Sequence, residues 1–211
     1  MSKKETSEKK PYEKPTIVKH SSGAINKFGR ASSAIPQGNI DGFLVSDLIE
    51  QYGSPLWVTS EGTLRRRYRE MYHAFNLRYP KVAIAYSYKT NYLSGICSIL
   101  HQEGAWAEVV SGFEYDIAVD LGVPGEQIVF NGPYKTREQL EKAAEMGSMI
   151  NIDSYDELYL LEEIALARGE PVKVGVRVNM ELYYPSWDRF GFNLESGQAV
   201  DACKRVISSE G

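Results

Sequence analysis

The residue with the clearest chemical potential is Lys89, which closes the run Val82-Ala83-Ile84-Ala85-Tyr86-Ser87-Tyr88-Lys89. Read as a buried strand, this run puts Val82, Ile84, Tyr86 and Tyr88 on one face and Ala83, Ala85, Ser87 and Lys89 on the other, because side chains alternate along a strand. The first face is bulky enough to pack against helices. The second is nearly bare until a single lysine stands at the C-terminal end. A lysine approached only by small side chains has room for a flat group on its amine, which Schiff-base chemistry with a carbonyl compound requires. Taken alone, the run favours a plainer alternative: a strand-end lysine whose ammonium snorkels to solvent.

The same question can be put to four further stretches that read as strands, 106–111, 128–132, 149–154 and 172–179. In the last, Val172, Val174, Val176 and Val178 form a packing face, while Lys173, Gly175, Arg177 and Asn179 form the other. Glu108 is flanked by Ala107 and Val109. Val129 and Asn131 oppose Ile128 and Phe130; Asn151 and Asp153 oppose Ile150 and Ile152. If these minority faces converge, Ser87, Lys89, Glu108, Asn131, Asp153 and Arg177 gather at one end of a sheet, where parallel barrels place their active sites. Each also has a structural reading. Asp153 can serve as cap scaffolding beside Ser154, Glu114 as part of a helix cap, and Glu108 and Arg177 as a pair across a barrel.

The elements that would position these residues alternate. Helical stretches separate the five strands, whose starts are about 21 to 24 residues apart, the pattern of parallel β-α units. Ser111–Glu114, Thr136–Gln139 and Ser154–Glu157 each fit a capping box. A further helix is expected from near Ser196 towards Ile207. Before Val82, Ser46–Gly53 reads as a short capped helix, Leu56–Thr59 as a short strand, and Ser60 to about Tyr79 as a helix. No Gly-x-Gly-x-x-Gly or Gly-x-x-x-x-Gly-Lys-Ser/Thr fingerprint is present, which disfavours dinucleotide-binding and P-loop sheets. The expectation is an α/β fold: a parallel (β/α)8 barrel of the TIM type, truncated after about five strands. Residues 1–39 are expected to be a disordered tail and loop, rich in interleaved Lys and Glu. Residues 40–211 are expected to form the N-terminal portion of the barrel.

With 43% hydrophobic and 25% charged residues, the 211-residue chain can bury a core. A net charge of -4 argues against nucleic acid or an anionic membrane as partner. No run is long enough to be a transmembrane helix. Cys97 and Cys203, with His20, His73 and His101, make no metal spacing, and a reducing cytoplasmic setting fits.

The segment Ala85-Tyr86-Ser87-Tyr88-Lys89-Thr90-Asn91 resembles the Tyr-x-x-Lys-x-Asn segment around the cofactor lysine of fold-type III decarboxylases dependent on pyridoxal phosphate (PLP). These are the diaminopimelate, ornithine and biosynthetic arginine decarboxylases. The likeness continues through Ala107–Glu114, Ile128–Lys135, Asn151–Ser154, Val176–Asn179 and Arg189–Phe192, in family order from about residue 40 to the end. It is nearest to the diaminopimelate branch and implies a barrel of the alanine racemase/decarboxylase type. By this resemblance Lys89 holds PLP and is the catalytic residue. Glu108 and Arg177 lie near the ring, Ser87 lines its face, and Glu114 steadies Arg177 from behind.

The implied reaction is decarboxylation of a basic or diamino acid by a cytoplasmic enzyme, homodimeric at full length, with a racemase or a non-catalytic PLP-binding or regulatory relative as alternatives. The family's ring-stacking histidine, phosphate-binding glycine loop, pyridine-pairing glutamate and β-rich second domain are not matched here. The expectation is therefore an N-terminal portion, catalytically incompetent by itself, ending about where a sixth strand begins.

Overall fold

Local capping signals set where most of the helices begin. The computed structural model describes residues 38–181 and 189–209, and the chain divides into two units, 1–56 and 57–211. The expected tail over 1–39 and the Asn26–Arg30 loop lie outside the described residues, apart from Gly38 and Asn39.

In the first unit, β1 (Asn39–Ile40) and β2 (Phe43–Leu44) form an antiparallel hairpin. Its turn uses Asp41 and Gly42, both at positive φ, the combination that two-residue hairpin turns require. Helix α1 (Val45–Tyr52) follows and ends at Gly53, as expected. Its start differs from the expectation: Leu44 occupies the cap position with no side-chain bond, and the Ser46 hydroxyl donates instead to Asp47.

The second unit opens on residues 57–60, which form no strand. Trp57 is 97% exposed. A strand exists only through its partners, and the apolar run Leu56–Val58 finds none among the described residues. Ser60 then caps α2 (Glu61–Asn76), its hydroxyl accepting from the Thr63 amide at 3.0 Å.

Five parallel strands follow in sequential order: β3 (Ala85–Ser87), β4 (Trp106–Val109), β5 (Ile128–Phe130), β6 (Met149–Ile152) and β7 (Val174–Val176). Between them run α3 (Ser94–Gln102), α4 (Gly112–Asp120), α5 (Arg137–Glu145) and α6 (Tyr155–Arg168). An order without reversal is that of a barrel arc. A doubly wound sheet turns back at a switch point. The fold is thus α/β, a partial (β/α) barrel.

The five expected strands form the main sheet, and one short strand pair lies beyond them. After Arg177 the chain continues as β8 (Val178–Asn179), which pairs in parallel with β9 (Phe192–Asn193) in a separate two-stranded sheet before α7 (Gln198–Ser208). Two residues are too few to show an alternating pattern.

The alternation is borne out on the central strands. Ala107, Val109, Ile128, Phe130, Ile150 and Ile152 are at most 1% exposed and form the core beneath the helices. Burying each such side chain contributes on the order of 1.5–3 kcal/mol.

All three expected helix starts carry a side-chain cap, but only Thr136 and Gln139 close a full reciprocal box. Glu114 and Glu157 reach one residue further back, accepting from the Val110 and Asp153 amides at 2.8 Å each. Each carboxylate thereby fixes the end of the strand that precedes its helix.

Candidate functional site

Strand β3 stops at Ser87, earlier than its sequence suggests, and Lys89 stands on a 3₁₀ turn over Tyr88–Thr90. Tyr88 causes the change of direction. Its side chain is fully buried, and its hydroxyl lies 2.6 Å from His101 Nε2. His101 Nδ1 is 2.7 Å from the Ala105 carbonyl, which can only accept; Nδ1 therefore carries the proton, and Tyr88 donates to the bare Nε2. Burial lowers the His101 pKa below its usual 6.5 and keeps the ring neutral; burial first, then Cys97, raises the Tyr88 phenol above 10. Thr90 Oγ1 donates to the Ser87 carbonyl at 2.7 Å, and Tyr86 donates to the Asn91 carbonyl at 3.0 Å. The turn is held from both sides. Lys89 is exposed and has no hydrogen bond or ion pair among the described residues.

Register brings the next residues alongside. Ser87 is level with Glu108, and Glu108 with Val129. Glu108 Oε1 accepts from Asn131 Nδ2 at 3.1 Å. The Ser87 Oγ and Asn131 Oδ1 atoms beside it are buried without a hydrogen-bond partner, which is costly unless something else supplies one. Asn151 is level with Gly175, where a Cβ would come within 2.4 Å of the Asn151 amide oxygen. Only glycine leaves that part of the inner face flat.

Arg177 and Glu108 do not pair with each other. Arg177 Nη1 donates to Asp153 Oδ1 at 2.8 Å, and its guanidinium lies 4.9 Å from the Phe190 ring centre. Glu114 does not reach Arg177 either. Buried to 6% exposure, it is engaged by the Val110 and Ser111 caps. The sequence left the Arg177 and Glu108 partners open because each true contact joins residues more than 20 positions apart through the sheet, whereas the Glu114 cap is local.

Sequence reasoning missed Lys135. It lies just past β5, 4% exposed, and its ammonium donates to the Gly132 and Asn151 carbonyls at 2.9 Å each and to Glu157 Oε1 at 2.8 Å. Burial lowers its pKa below 10.5, and Glu157 opposes the shift. Nothing in the spacing of Pro133-Tyr134-Lys135 signals a buried ammonium. The strand ends together thus present one free amine, two charged pairs and two unsatisfied polar atoms.

Comparison with known proteins identifies the family. The diaminopimelate decarboxylase of Methanocaldococcus jannaschii is 35% identical over 185 residues, covering 81% of this chain and 42% of that protein. The Bacillus subtilis enzyme of the same name is 32% identical over 174 residues, covering 77% and 39%. The crystal structure of the M. jannaschii enzyme in co-complex with L-lysine superposes with a TM-score of 0.75 at 34% identity, over 83% of this chain and 44% of that one. The chain therefore spans about two fifths of the length of these relatives. Residues 61–211 match the family described as pyridoxal-dependent decarboxylase, pyridoxal binding domain. On the breadth of that match, and on the partial barrel it shares with these relatives, the chain belongs to the pyridoxal-dependent decarboxylase family.

Proposed function

We propose that this chain carries the cofactor-lysine portion of a PLP-dependent decarboxylase acting on a small diamino acid, of the diaminopimelate decarboxylase kind. The observation that carries the reading is Lys89: an amine with no partner among the described residues, on a turn braced by buried Tyr88, beside a row in which Ser87 Oγ and Asn131 Oδ1 lack partners. That environment fits the cofactor. The orphaned Ser87 Oγ and Asn131 Oδ1 suit a flat ligand rich in polar atoms, and Gly175 leaves the inner face clear.

Lys89 would hold the group covalently, and Ser87, Glu108 and Arg177 would line it. Bound PLP supplies an electron sink for the pair released when an α-carboxylate leaves as carbon dioxide. This chain's part is orientation. The Lys89 turn fixes where the amine stands, and its free nitrogen can carry a proton to or from the reacting centre. Glu108, held by Asn131, places negative charge at one rim, and Arg177, held by Asp153, places positive charge at another. The buried Ala107–Ile152 layer beneath keeps water from that side.

The reading extends to a cytoplasmic homodimer with an amino-acid substrate. Two unpaired cysteines suit a reducing compartment, and the M. jannaschii relative crystallised with L-lysine supports the substrate class. No helix among the described residues is long and apolar enough to cross a membrane. The test is product analysis on the full reading frame with PLP and with diaminopimelate, lysine or ornithine. The expected outcome is carbon dioxide release with diaminopimelate. Racemised amino acid without carbon dioxide would move the protein to the racemases. Lys89 modification without turnover of any substrate would make it a non-catalytic binder.

A further inference from the structure

Lys135 is the buried charge that the proposed reaction does not use. Its side chain is fully shielded, and its three donors meet three acceptors from three elements: Gly132 after β5, Asn151 on β6, and Glu157 on α6. The other Glu157 oxygen receives the Asp153 amide at 2.8 Å, and Asp153 receives Arg177 at 2.8 Å. A continuous chain of short contacts thus runs from the Lys135 ammonium to the Arg177 guanidinium.

The helix cap by itself does not need this lysine. At α4 the same device is built without one: Ser111 caps Glu114, and Glu114 accepts from the Val110 amide, buried and with no ion pair among the described residues. At α6 the capping glutamate has an ammonium behind it, and only there does the residue ahead of the cap, Asp153, hold an arginine at the strand ends. A buried ion pair is a poor source of net stability, because desolvation offsets the attraction; its best-attested contribution is to fix geometry.

We infer that Lys135 is a positioning residue: through Glu157 and Asp153 it sets where the Arg177 guanidinium stands, and hence how firmly the strand ends hold the cofactor. The inference rests on the proposed reading that Arg177 lines a PLP site. It also separates Asp153 from a purely capping role, since its amide serves the cap while its carboxylate serves Arg177.

The test is a double-mutant cycle read on cofactor capture. The full chain is titrated with pyridoxal 5′-phosphate and reduced with borohydride, and labelled Lys89 is quantified by mass spectrometry. The variants are Lys135→Met, Arg177→Gln and the double substitution. Each single change is expected to raise the half-saturating concentration on the order of 10-fold. If Lys135 acts through Arg177, the double variant is no weaker than Arg177→Gln alone, within about 2-fold. Effects that multiply would mean that the two residues act independently, and would overturn the inference. So would a folded Lys135→Met variant whose labelling curve matches wild type. Should Lys135→Met fail to fold, Glu157→Gln replaces it in the same cycle, since it keeps the shape and weakens the same link. Wild-type protein that takes up no label at Lys89 would instead remove the cofactor reading itself. That outcome is distinct from a labelled wild type with an additive cycle.

Discussion

Tyr88→Phe tests how the turn that carries Lys89 is held. The substitution removes one oxygen from a fully buried ring, so the cavity left is smaller than a methyl group and packing changes little. What it strands is the lone pair on His101 Nε2, which accepts from Tyr88 at 2.6 Å while the opposite ring nitrogen is committed to the Ala105 carbonyl. Leaving one buried polar group unsatisfied costs about 1–3 kcal/mol. With a urea m-value of about 2 kcal/mol per molar, that is a fall in midpoint of about 0.5–1.5 M. Unfolding can be followed by tryptophan fluorescence, since Trp106 on β4 pairs directly with Ala85 on β3. His101→Phe should cost more, since it strands both the Tyr88 hydroxyl and the Ala105 carbonyl. The double substitution should cost less than the two together, because removing both partners of the Tyr88–His101 bond leaves only the Ala105 carbonyl unpaired. A Tyr88→Phe midpoint within about 0.25 M of wild type at unchanged m would refute the reasoning, since the bond assigned here would then carry no net stability.

Gly132→Ala meets two obstacles. Gly132 sits at φ +115, and an added Cβ would fall 2.4 Å from the Val110 carbonyl. Backbone strain of about 1–3 kcal/mol and overpacking of about 1–3 kcal/mol predict a loss of roughly 2–6 kcal/mol in a denaturant titration. Acid should weaken the fold in two separate windows. The His101 pKa is lowered by burial, so the stability of its neutral form is complete above the unfolded value near 6.5 and is lost as pH falls below it, with a slope of at most about 1.4 kcal/mol per pH unit. The His101→Phe variant should lose that slope. Glu103 is held down to about 2, first by Arg69 and then by Arg65; its contribution is complete above about 4.5 and is lost as pH falls towards 2. Glu103→Gln should flatten the midpoint-against-pH curve only in that lower window.

The features legible in the sequence were those set by neighbours along the chain. Ser111, Thr136 and Ser154 open helices because a hydroxyl two or three residues from a free amide caps it whatever the tertiary fold. Ile150 and Ile152 bury while Asn151 and Asp153 face the other way because strand side chains alternate. Choices between distant partners were not legible. Asn131, rather than Arg177, holds Glu108, and Asp153 holds Arg177, because register and strand length put those atoms within 3.1 Å and 2.8 Å. Strand ends were overextended for a related reason. Apolar alternation continues through Tyr88, but the hydrogen bond to His101, thirteen residues on, turns the chain into a 3₁₀ segment there. Leu56–Thr59 failed as a strand and Phe192–Asn193 succeeded as one. In both cases the presence of a pairing partner decided, and apolar content did not.

The central claim is that Lys89 is the amine that takes the cofactor. Its most direct test is to add pyridoxal 5′-phosphate, reduce with borohydride, digest and map the modified lysine by mass spectrometry. A pyridoxyl group concentrated on Lys89, with Lys135 unmodified in its buried cage, is the predicted result. Label scattered over surface lysines, with none enriched at Lys89 in the chain or in the full reading frame, would contradict it.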